Sequence, residues 1–157
     1  MNALNTSALI GEHRDALSSA LLSLQYVEEG MRMYLRNAYE IIALRVRDEF
    51  EYTRSEADVR KKSMGQLLRE FRQMTSNAPL VSQIVGLVED RNFCAHEAFL
   101  LTYEEQQNTA ALTKAIARIK DIEARAEACR LGLFDEVRRI QDRWGEMIKK
   151  IEPSGAV

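Results

Sequence analysis

LTKAIARIKDIEARAEACRLGLFDEVRRIQDRWGEMI, residues 112–148, decides the fold class of this chain. Leu112, Ile116, Ile119, Ile122, Ala126, Cys129, Leu133, Val137, Ile140, Trp144 and Ile148 recur at steps of three and four. Side chains at that spacing share one face of an α-helix, so the stretch carries a single apolar seam with charges on its other faces. It keeps close to a heptad rhythm over roughly five repeats, far longer than an ordinary globular helix. Upstream, Thr102 and Glu105 have the spacing of a capping box that would start the pattern. Downstream, Pro153-Ser154-Gly155 ends it, so residues 152–157 read as a frayed tail.

The opposite end of the chain carries a matching pattern. Ile10, Leu17, Leu21, Leu24, Val27, Met31, Leu35, Ala38 and Ile42 fall on one stripe, with Asn5 or Thr6 as a cap. Between the long patterns, residues 51–63 are charged and aperiodic and read as a loop. Ser63 then opens a short helix with Leu67, Leu68, Phe71 and Met74 on one face. Pro79 suits the first position of another, which carries Leu80, Ile84, Leu87 and Val88. The expected fold is all-α: a four- to five-helix bundle of one domain, residues 1–157, with two long terminal helices and two or three shorter ones between them. Two seams of equal length suggest that the long helices pair antiparallel.

Bulk composition agrees and limits function. Of 157 residues, 46% are apolar and 29% charged, with only two prolines, which favours helix over sheet. A net charge of −2 and a pI near 5.8 do not suit a protein that coats nucleic acid, so any such role needs a local basic site. Two cysteines, Cys94 and Cys129, provide no disulfide framework and fit a reducing compartment. Without a signal-peptide pattern or an apolar run long enough to span a bilayer, a cytoplasmic location without membrane attachment is expected.

Against this scaffold one stretch carries chemistry: Arg91-Asn92-Phe93-Cys94-Ala95-His96. Histidine titrates near neutrality and can take or give a proton at cellular pH. The arginine fork matches the non-bridging oxygens of a phosphodiester. An asparagine amide can orient the histidine or hold the phosphate. Five residues separate Arg91 from His96, about 140° around an ideal helix, so the two converge poorly unless the helix breaks between them. The bland alternative is a helix end where Arg91 meets an acid and His96 fills a corner.

The segment Leu87-Val88-Glu89-Asp90-Arg91-Asn92-Phe93-Cys94-Ala95-His96-Glu97-Ala98-Phe99 is similar to the motif helix of the HEPN superfamily, whose signature is Arg-polar-x3-His. The resemblance spans the whole chain as architecture but only residues 90–97 as a motif. It implies a metal-independent endoribonuclease of a toxin–antitoxin or phage-defence system, with Arg91, Asn92 and His96 as catalytic residues. The ribose 2′-hydroxyl would attack the phosphorus, leaving a 2′,3′-cyclic phosphate and a 5′-hydroxyl. One chain offers one motif histidine, so a homodimer with a composite site at its interface is expected, and an antitoxin protein is a further implied partner. The alternatives are a non-catalytic HEPN-like bundle that binds RNA, a nucleotide or a protein, and a coiled-coil adaptor in which residues 91–96 are incidental.

Arg60, Lys61 and Lys62 form a basic run that would track RNA phosphates, unless it is simply a solvated face. Tyr26, Tyr34, Tyr39 and Tyr103 can stack on bases, though aromatics at helical spacing usually serve packing. His13 reads as a solvated or boundary residue, and Cys129 as core. Neither histidine has ligand-forming spacing to other donors, so no metal and no cofactor is expected.

Overall fold

The structure, a computed structural model, describes residues 3–101 and 103–151. Its elements are α1 (Ala3–Val46), α2 (Glu56–Val59), α3 (Met64–Met74), α4 (Ala78–Asn92), a π turn (Phe93–Glu97), α5 (Tyr103–Gln107) and α6 (Thr109–Ile151). The fold is an all-α helical bundle, with two helices of more than forty residues at its ends. No strand occurs among the described residues.

Local chemistry sets most boundaries. The Ser63 N–H donates to Gln66 Oε1 at 3.0 Å and opens α3. Asn77 Oδ1 accepts the Leu80 N–H at 3.1 Å, which starts α4 one residue ahead of Pro79. The long last helix begins later than the Thr102 box suggested: α5 is a single turn, and Asn108 Oδ1 caps α6 by accepting the Ala111 N–H at 3.1 Å. Thr102 itself and the tail at 152–157 lie outside the described residues. α1 begins at Ala3, so neither Asn5 nor Thr6 marks its start. The expected loop at 51–63 contains the one-turn α2, because Val59, set among charged neighbours, is fully buried and pins that turn.

The helices group into two compact units, Met1–Val27 with Ser82–Arg130 and Glu28–Val81 with Leu131–Val157. In the first, Leu17, Leu24 and Val27 of α1, Ile84 and Leu87 of α4, and Leu112 to Cys129 of the α6 seam form the core. In the second, Met31, Leu35 and Ala38 meet Leu67, Leu68 and Phe71 of α3, together with Leu133, Val137 and Ile140. Full burial of such a side chain contributes about 1.5–3 kcal/mol, against about 0–1 for an exposed ion pair, so the seams govern the fold.

One expectation is reversed. Within the first unit Lys120 reaches Glu12 at 2.7 Å, Ser19 donates to Glu123, and Arg130 lies over the Tyr26 ring. Numbering rises together on both helices, so α1 and α6 run parallel. The second unit repeats the direction: Gly30 abuts Leu133, and Ile42 shares a groove with Met147. The returning stroke belongs to α4, where Asp90 meets Arg125 and Phe93 meets Arg118 in the first unit, and Asn77 meets Glu136 in the second. An apolar seam has no polarity, so its spacing is the same for either direction of pairing.

Candidate functional site

Arg91 and Asn92 are the last two residues of α4, and the next five residues form the π turn that ends in His96 and Glu97. The Ala98 N–H donates to the Phe93 carbonyl at 2.9 Å, an i→i+5 bond that widens the turn by one residue. Across the turn Cys94 is fully buried and Ala98 nearly so. His96 and Asn92 are exposed, and Arg91 is half-buried. The widened turn supplies the break that the spacing of Arg91 and His96 requires. In an α-helix the fourth residue along nearly returns to the starting face, and in a turn holding an extra residue the fifth takes that place. His96 is thereby rotated toward the side of Arg91.

The neighbouring strip of α6 fastens this segment. Arg125 Nη1 donates to Asp90 Oδ2 at 2.7 Å, while Arg125 Nε reaches Asp121 at 2.9 Å. Two turns earlier on α6, the Arg118 guanidinium lies 3.5 Å from the centroid of the Phe93 ring. Arg118 and Arg125 are seven residues apart and share a face, as do Phe93 and Asp90, three apart on the opposing helix. Neither α6 arginine belonged to the sequence-expected site. Their periodicity was visible in the sequence, but which helix they faced was not.

The remaining candidates lie elsewhere or serve packing. Arg60, Lys61 and Lys62 belong to the second unit, whereas Arg91, Asn92 and His96 belong to the first. Arg60 and Lys61 are exposed, but Lys62 Nζ pairs with Glu70, so its charge is already matched. Tyr34 and Tyr39 are buried; only Tyr26 is half exposed, and of Tyr103 the structure describes the backbone alone. Cys94 and Cys129 are buried thiols, pushed by burial to about 11 and about 12, values that make them poor nucleophiles.

His13 departs from its expected solvated or boundary setting. It is 2% exposed, and its Nε2 has no hydrogen-bond partner among the described residues. Burial holds its imidazole below the usual value, with the Glu105 charge opposing the shift. His13 is three residues after Ile10 and four before Leu17, so it stands on the same α1 stripe and packs inward with it.

No group of three or more histidine, cysteine or acidic side chains that could hold a metal occurs among the described residues. Among them, too, no helix is long and apolar enough to cross a membrane. No protein-family model, curated protein or solved structure matches the chain.

Proposed function

We propose that this protein is a metal-independent endoribonuclease of HEPN type, acting at Arg91, Asn92 and His96. The observation that carries the reading is the π turn within the motif. It leaves a proton-transfer group exposed, one widened turn from a phosphate-binding arginine, on a segment fastened through Asp90 and Phe93. Such turns recur at functional sites.

In this reading the Arg91 fork binds the non-bridging oxygens of a phosphodiester and stabilises the charge that accumulates in the transition state. His96 withdraws the 2′-hydroxyl proton; the 2′-oxygen forms its bond to phosphorus as the bond to the 5′-oxygen breaks, and a second acid protonates that leaving oxygen. His13 is unsuited to be that acid, since its Nε2 is sealed from solvent. The second acid therefore comes from His96 of another copy, which makes the active form a homodimer. A cytoplasmic toxin or phage-defence role, restrained by an antitoxin, belongs to the same proposal, as does phosphate tracking by Arg60 and Lys61.

A second reading, a non-catalytic bundle that binds RNA, a nucleotide or a protein, draws on the net charge of −2. Labelled RNA incubated in EDTA separates the two. Cyclic-phosphate ends that disappear in His96→Ala support cleavage, whereas binding without strand scission supports the second.

A further inference from the structure

We infer that Arg118 is a phosphate-binding residue of the same site, holding the RNA backbone next to the phosphodiester that Arg91 would contact. This rests on the RNA reading above and adds a residue from a different helix, outside the motif.

The first ground is where Arg118 sits relative to His96. Seen down the axis of an ideal helix, Phe93 lies about 60° from His96 on one side, and Arg91 about 140° on the other. The widened turn rotates His96 away from Phe93 toward Arg91, so it stands nearer the middle of the interval. Arg118 covers the Phe93 ring at 3.5 Å. His96 is therefore flanked around the turn by two guanidinium groups, one from α4 and one brought in by α6. Three residues of helix advance about 4.5 Å along the axis, so Arg118 and His96 lie within about one turn of each other.

The second ground is the state of the charge. Asp121, the acid nearest to Arg118 along α6, is occupied by Arg125, and so is Asp90. Arg118 forms no ion pair with a described residue and is exposed. Stacking engages only the flat face of a guanidinium. Its N–H donors lie in the plane and are not used by the stack, and their fork matches two phosphate oxygens. The stack also fixes the side chain before binding, so little rotamer entropy is lost when the phosphate arrives. A cation placed only to secure the helix interface would be expected to meet one of the acids there, as Arg125 does.

The test uses the full-length protein and a single-stranded RNA with 2′-O-methyl riboses, which cannot be cleaved. Binding is followed by fluorescence anisotropy across a salt series, for wild type, Arg118→Ala, Arg118→Lys and the control Arg138→Ala, which removes an exposed α6 arginine from the other unit. Arg118→Ala should weaken binding about tenfold and reduce the slope of log K against log salt by about 0.7, the loss of one single-strand phosphate contact. Arg118→Lys should keep the slope but not the full affinity, since an ammonium cannot reproduce the stacked fork. Arg138→Ala should change neither. On cleavable RNA, Arg118→Ala should raise KM about tenfold and leave kcat within about twofold. An unchanged slope in Arg118→Ala overturns the inference, as does an equal loss in Arg138→Ala or a wild type that binds no RNA. Binding that depends on Arg118 without any strand scission would leave the inference standing and contradict the cleavage reading alone.

Discussion

Asp90 and Arg125 meet at 2.7 Å, and the aspartate side chain is only 15% exposed whereas the arginine is 46% exposed. Asp90 directly precedes Arg91, so this contact fixes the end of α4 from which the candidate site projects. Arg125→Ala leaves a mostly buried carboxylate without its principal cation. A loss of about 1 kcal/mol is expected, between the values for exposed and buried pairs. For a chain of this length that lowers Tm by about 2–4 °C. RNA cleavage should fall by more than the stability loss explains, because the turn loses its anchor. Thermal unfolding and turnover measured on one preparation check both, and an unchanged turnover would show that the anchor does not matter to the site.

Gly30 and Gly11 should respond in opposite ways to alanine. A Cβ at Gly30 would stand 3.3 Å from both Cβ and Cδ1 of Leu133. Leu133 Cβ is fixed to the α6 backbone, so the helices must separate, and Gly30→Ala should destabilise by about 1 kcal/mol despite better helix propensity. At Gly11 a Cβ meets nothing within 4 Å, and alanine should stabilise by about 0.5–1 kcal/mol. Urea denaturation midpoints decide the signs.

Glu70 sits in a half-buried cluster with Tyr39, Lys62 and Arg54. Burial alone would raise its carboxyl, but hydrogen bonds from Lys62 and Tyr39 and the charges of Lys62 and Arg54 outweigh it and hold the group below its ordinary 4.5. A carboxyl whose folded value is depressed stabilises fully above the unfolded value and loses that contribution as pH falls through the folded one. Stability should therefore drop as pH falls below about 4.5. Glu70→Gln should be weaker than wild type by about 1–2 kcal/mol at pH 7 and show a flatter acid limb. Tyr39, raised to about 12 by burial and by its bond to Glu70, acts at the other extreme. Its contribution is complete below pH 10 and is lost as pH rises through about 12. Urea titrations at pH 7, 4 and 3 test the acid side.

His13 carries the same sign as Glu70 at a higher pH. Its folded value is held below 6.5 by burial, so the unfolded chain binds more protons as pH falls. Stability associated with it is present above pH 6.5 and declines on acidification through its folded value. Since its Nε2 is unpartnered, His13→Leu should raise stability at pH 7.5 by about 1 kcal/mol and remove the decline toward pH 5.5. A variant that loses stability at pH 7.5 would show that the imidazole makes an essential contact.

The two long helices and their buried faces were legible because spacing alone marks a helix face. Leu112, Ile116, Ile119, Ile122, Ala126, Cys129, Leu133, Val137 and Ile140 are all buried, and Leu24, Val27, Met31 and Leu35 match them on α1. Direction was not legible, since the contacts that set it join Glu12 to Lys120 and Asp90 to Arg125 across long separations. The π turn was hidden for a different reason. Nothing in Phe93-Cys94-Ala95-His96-Glu97 disfavours an α-helix, so no residue type marks the i→i+5 bond that widens the turn. Arg118 went unnoticed because its partner Phe93 is an aromatic on another helix. His13 looked solvent-facing because of its polarity, although its place between Ile10 and Leu17 sets it on the stripe that the fold buries.

Cleavage of a 5′-labelled single-stranded RNA in EDTA, with product ends analysed by mass, tests the central claim most directly. Wild type should yield 2′,3′-cyclic phosphate ends, and His96→Ala should lower the rate at least about a hundredfold without lowering Tm. RNA left intact by wild type, or cut equally well by His96→Ala, would contradict the account.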